Sequence, residues 1–171
     1  MAFTYSKLAE VTVGSGGIPS FTFNNIPQNY NDLILLYSIR TTDIDGAGTY
    51  IRFNGTTSGY SERLLYGTGT TATSASTTTQ TALVWGLANE SDMTANTFAS
   101  GQVYIPNYAG SQNKSVSIES VQETNATASN IYIDAGLWSN VTAINSVTLL
   151  PNFGNFAQHS TATLYGVKAE V

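Results

Sequence analysis

Lys114-Ser115-Val116-Ser117-Ile118-Glu119-Ser120-Val121 reads with a period of two, Val116 and Ile118 marking one face and Glu119 the other. That period belongs to a β-strand with one buried face, because successive side chains of an extended chain point to opposite sides. Ser20-Phe21-Thr22-Phe23-Asn24 repeats the pattern, with both phenylalanines on one face. Asp32-Leu33-Ile34-Leu35-Leu36-Tyr37-Ser38-Ile39-Arg40 differs: its apolar run is continuous. Such a run is expected of a central strand covered on both faces or crossing the core.

Working outward, strands are expected around Leu8 to Val13, Thr49 to Phe53, Tyr60 to Tyr66, Ala82 to Leu87 and Thr97 to Ile105. Three more follow at Asn130 to Trp138, Ile144 to Leu150 and Ser160 to Val167. Gly14-Ser15-Gly16-Gly17 and Pro106-Asn107 punctuate them, and Asn54-Gly55 is the signal of a type I′ hairpin. Gly67 to Thr81 is low-complexity Gly/Thr/Ser/Ala and reads as a long surface loop. About ten strands with a turn roughly every 8 to 12 residues have the spacing of a sandwich or barrel. The expectation is one all-β domain over 1–171, an antiparallel β-sandwich of jelly-roll type, without helix, linker or solenoid repeat.

Composition agrees. Charged residues are 10 % of the 171, against roughly 25 % in an average domain. Ser and Thr take their place at roughly a quarter of the chain. With a net charge of −5 and six basic residues scattered from Lys7 to Lys168, no stripe can track a phosphate backbone, so nucleic acid is set aside. The longest apolar run, Leu33 to Tyr37, is far short of the ~20 residues of a membrane span, and membrane insertion is not expected. There is no cysteine, hence no disulfide and no thiolate chemistry. Edge strands with so few charges have little to repel another chain, so a homo-oligomer is expected, a trimer first.

Few residues offer chemistry. His159 is the only histidine, and no nucleophile elbow accompanies it, so it is read as a surface or interface residue and not a general base. Asp43 and Asp45 before Gly46 look like the opening of a calcium loop, but the later ligand positions are missing and the segment is read as a solvated turn. No carboxylate pair stands out as a glycosidase dyad among eleven acidic residues. Gly14 to Gly17 and Gly67 to Gly69 lack the Lys and helix of a phosphate loop. No catalytic residue, cofactor or metal is assigned, and the chain is read as a non-enzyme. Trp85 and Trp138 lie within strand patterns and are assigned to the core, whereas Tyr60, Tyr66 and Tyr108 sit near turns and are the candidates for surface contact.

The wording of the strands resembles that of short β-rich virion proteins of tailed bacteriophages, particularly those of cyanobacteria and other marine bacteria. The likeness is carried by Tyr5-Ser6-Lys7-Leu8-Ala9, Phe23-Asn24-Asn25-Ile26-Pro27-Gln28 with Tyr30-Asn31-Asp32-Leu33, and Arg52-Phe53-Asn54-Gly55. It continues through Arg63-Leu64-Leu65-Tyr66-Gly67, Tyr104-Ile105-Pro106-Asn107-Tyr108 and Ala135-Gly136-Leu137-Trp138 to Thr161-Ala162-Thr163-Leu164-Tyr165-Gly166-Val167. The resemblance implies a place on the virion surface after assembly in the host bacterial cytoplasm, with other phage capsid or tail proteins as partners. It brings no catalytic residue. A capsid decoration or cement subunit is the first expectation, since the strand pattern fills the sequence and leaves no fibre shaft. The alternative is a tail-fibre tip or appendage whose Ser/Thr/Asn/Tyr-rich loops from Asn54 to Thr79 bind host surface glycans.

Overall fold

The computed structural model describes residues 3–44, 48–125 and 129–169, and all of the regular structure in them is β. Twelve strands are formed: β1 Phe3–Thr12, β2 Phe21–Phe23, β3 Asp32–Ile39, β4 Gly48–Phe53, β5 Tyr60–Gly67, β6 Ala72–Gln80, β7 Leu83–Leu87, β8 Ala99–Ile105, β9 Lys114–Gln122, β10 Asn130–Trp138, β11 Val147–Pro151 and β12 Thr161–Ala169. They make two antiparallel sheets, an eight-stranded one ordered β1-β12-β3-β8-β9-β10-β5-β6 and a four-stranded one ordered β2-β11-β4-β7.

The order explains itself as one long folded hairpin. β4 pairs with β7, β3 with β8, β2 with β11 and β1 with β12, and successive pairs alternate between the sheets. That wrapping is the jelly roll. Two additions, β5–β6 and β9–β10, leave this frame and join edge to edge beyond β8, which doubles the larger sheet.

The strict alternation of Lys114 to Val121 holds: β9 alternates buried and exposed along its whole length. Leu33, Leu35, Ile39, Val103, Ile105 and Ile118 face the second sheet and are completely buried, each worth about 1.5–3 kcal/mol of apolar burial. Across the gap Trp138 meets Phe53 at 5.6 Å between centroids, and Phe156 of the β11–β12 connection packs on Phe21 at 4.5 Å. The sheets are in close contact at Gly86 on β7, where φ is +103° and a Cβ would stand 2.3 Å from Ser120 Oγ. Only glycine fits both the dihedral and the gap.

Three expectations are corrected by this architecture. The strands number twelve, because the low-complexity stretch from Gly67 to Thr81 is largely strand: β6 pairs with β5 in register from Glu62↔Thr77 to Gly67↔Ala72. Second, Asn54 and Gly55 do take the paired positive φ values of a type I′ turn, 51° and 65°, and Thr56 N–H donates to the Phe53 carbonyl at 3.0 Å. The strands they join nevertheless do not pair; the turn carries the chain from the small sheet to the large one. Third, β3 is central between β12 and β8 but covered on one face only: its outward Leu36 is 41 % exposed.

Candidate functional site

The outer face of the eight-stranded sheet follows from the register. Leu36, Gln102, Glu119, Ile133, Leu65 and Ser74 form one cross-strand row, running from β3 to β6. Tyr165, Ile34, Tyr104, Ser117, Ala135, Arg63 and Ser76 form the next. Their inward neighbours are the core, so this face is turned away from the second sheet. Of the ten large hydrophobic side chains exposed among the described residues, seven lie here: Tyr5, Leu36, Leu65, Tyr104, Val121, Ile131 and Ile133. Leu65, Ile131 and Ile133 are each at least half exposed and adjoin on β5 and β10.

Shape follows from side-chain size. Ser115, Ser117 and Ala135 form a low floor between Tyr104 on one side and Leu65 and Ile133 on the other, giving a depression of about 850 Å³. A second depression continues past Tyr104 toward β1 and is lined by Tyr5, Asp32, Ile34, Gln102, Ser117 and Val167. Its polar groups are held in place. Tyr104 O–H donates to Asp32 Oδ2 at 2.8 Å, Asn107 N–H donates to Asp32 Oδ1 at 2.9 Å, and Gln102 Nε2 donates to Glu119 Oε2 at 2.9 Å. Partial burial, then the hydrogen bond and charge of Asp32, push the Tyr104 phenol up to about 12.

The tyrosines singled out for surface contact fare differently. Tyr60 is 1 % exposed: its ring stacks on Trp138 at 6.3 Å, and its hydroxyl accepts from Phe53 N–H at 2.8 Å. Tyr108 is fully buried, with its O–H donating to the Pro27 carbonyl. Both are therefore corrected to core residues, because a position near a turn still lies inside when the turn folds over the open end of the sandwich. Tyr66 is half-buried and stacks on Tyr132 at 5.4 Å. The exposed aromatics of this sheet face are instead Tyr5 and Tyr104, whose outward direction in the strand period was the available signal.

Trp138 is fully buried, as its strand pattern implied; the side chain of Trp85 lies outside the described residues. His159 is exposed, in a turn with φ 72° just before β12. Of the Asp43–Asp45–Gly46 segment only Asp43 is described; its Oδ1 accepts from Ile44 N–H at 2.9 Å, and Asp45 and Gly46 lie outside the described residues.

One pairing was missed. Glu62 and Asp134 are diagonal neighbours on the inner face of β5 and β10, 2 % and 3 % exposed. Glu62 accepts from Thr77 Oγ1 at 3.0 Å and from Val84 N–H at 2.8 Å. Burial, then the charge and hydrogen bond of Glu62, push Asp134 up to about 7. Burial also raises Glu62. The pair faces the interior beneath β7, so it bears on stability and not on anything that binds the outer face. Sequence spacing could not find it, since 72 residues and a sheet register separate the partners.

No protein-family model matches the chain, and neither the curated proteins nor the solved structures yield a match.

Proposed function

We propose that the protein is a structural subunit of a bacteriophage virion, a decoration or cement part of the head surface, and that it docks on neighbouring protein through the outer face of the eight-stranded sheet. One observation carries this reading: on the outer face of β5, β9 and β10, Leu65, Ile131, Ile133 and Val121 adjoin as exposed apolar side chains, while the other face of the same strands is buried. Contiguous exposed apolar surface marks a place where another surface sits. The resemblance of a series of short strings to phage virion proteins supplies the setting, and a jelly-roll frame supplies a rigid part that needs no chemistry of its own. Such a part is not an enzyme, and it works as an oligomer of its own copies.

The glycan-binding reading stays second, favoured by the depression in which Tyr5 and Tyr104 stand beside Asp32, Gln102 and Ser117. Rings with hydroxyl and amide partners suit a sugar surface. A cryo-EM map of the phage particle separates the two. Copies on the head lattice with Leu65 and Ile133 against the shell support decoration. A few copies on the tail, with Tyr5 and Tyr104 facing outward, support the glycan reading, and absence from the particle ends both.

A further inference from the structure

The four sheet edges are not alike. β1 carries Lys7 and Glu10, ion-paired at 2.8 Å, and a bulge between Lys7 and Ala9. β2 is three residues long, and β7 is five, with an irregular register against β4 and Gly86 at φ 103°. Charge, bulges and brevity are the devices by which edge strands avoid pairing with another chain. β6 has none of them along Ala72 to Thr77, where it is regular, mostly exposed, free of proline and uncharged.

The direction of its free backbone groups can be read from the turn. Thr68 N–H donates to the Thr71 carbonyl at 3.0 Å, closing a two-residue hairpin with Gly69 at φ 85°, as the first central position of a type II′ turn requires. Bonded and non-bonded pairs alternate down an antiparallel ladder. Thr73, Ala75 and Thr77 therefore bond β5, while Ala72, Ser74 and Ser76 turn their N–H and C=O groups away from the sheet. The Arg63 guanidinium, reaching the Thr77 carbonyl at 3.3 Å from the β5 side, agrees with that phase.

We infer that β6 pairs antiparallel with β6 of a second copy about a two-fold axis, joining the two eight-stranded sheets into one. The occupant is a second copy for two reasons. An antiparallel pair of identical strands is self-complementary, so every outward donor meets an outward acceptor. Two chains of charge −5 repel, and no charged residue lies between Gly67 and Asn89 to add a like-charge contact across the axis. Facing Thr and Ser side chains add cross-strand hydroxyl pairs. The inference goes beyond docking on the outer face and does not depend on it.

Ser74→Pro tests it, because proline there removes an outward N–H and leaves the ladder to β5 intact. At tens of micromolar the full chain is expected as an even-numbered assembly by light scattering, and Ser74→Pro halves its mass with the far-UV spectrum unchanged. A monomer, an odd-numbered wild-type assembly, or a folded Ser74→Pro variant of wild-type mass overturns the inference. A cysteine scan covers the case in which proline unfolds the chain, since the protein has no cysteine of its own. One position within 72–76 should form an intermolecular disulfide under mild oxidation far more readily than Ser100→Cys on β8. No position exceeding that control would sink the pairing, while the outer-face reading, tested at Ile133, would stand.

Discussion

Asp134 and Glu62 bury both carboxyls between adjacent strands of the large sheet, and Asp134 keeps its proton up to about 7. Its folded-state pKa thus lies above the unfolded value of 3.8, so between roughly pH 4 and pH 7 the native chain holds a proton that the unfolded chain has released. Stability from this group is complete below pH 4 and declines as pH rises toward 7. Asp134→Asn keeps the shape and cannot ionise. Its melting temperature is expected to match the wild type near pH 4 and to exceed it at pH 8. A melting temperature at pH 8 below that of the wild type would show that the ionised Asp134 carboxylate does not cost the fold stability.

Arg40 organises the long β7–β8 connection by binding its backbone carbonyls. Its guanidinium donates to the carbonyls of Met93, Thr94 and Thr97 at 2.9 Å and of Ser91 at 3.2 Å. Arg40→Ala leaves those acceptors without their charged donor, a loss of about 2 kcal/mol. Hydrogen exchange should quicken across 89–98 and stay unchanged in β9. Arg40→Lys, with a point charge in place of the fork, is expected to fall between the two.

Tyr60 connects the small sheet to the added hairpin through its hydroxyl, which takes the Phe53 N–H at 2.8 Å and meets Thr56 Oγ1 at 2.8 Å. Tyr60→Phe preserves the stack on Trp138 and strands a buried donor. The expected cost in a urea titration is about 1–3 kcal/mol, with no change in m. A neutral Tyr60→Phe would mean that water reaches Phe53 N–H.

What the sequence disclosed and what it hid divide along burial. Strands with one buried face, such as Lys114–Gln122 and Asn130–Trp138, announce themselves by period, and their bounds fall within a residue of expectation. β6 has no buried face of its own: it is an edge strand of Ala, Ser and Thr, held by β5 and legible only once β5 is placed. Turn chemistry at Asn54-Gly55 is local, so it was readable, but which strands a turn joins into a ladder is a tertiary outcome. The outer face was half visible. The unbroken run from Leu33 to Tyr37 asks for cover on both sides, and the chain covers one.

That missing cover gives the prediction closest to function. Ile133 is 53 % exposed and Leu65 50 %, and they are direct cross-strand partners at the centre of the apolar cluster. Ile133→Asp places a carboxylate where any docked surface would have to desolvate it, at several kcal/mol to the complex. In the free chain the side chain already stands in water, so the melting temperature should move by little more than the loss of β-propensity, within about 1 kcal/mol. Particles grown with Ile133→Asp in place of the wild-type chain should carry fewer copies of it, read by quantitative mass spectrometry of purified virions. Lys168→Gln, an exposed change of the same −1 in net charge near the C-terminal end of β12, controls for net charge alone. Full occupancy with Ile133→Asp would remove the outer face from the docking surface, since no interface buries an unpaired carboxylate at its centre without weakening.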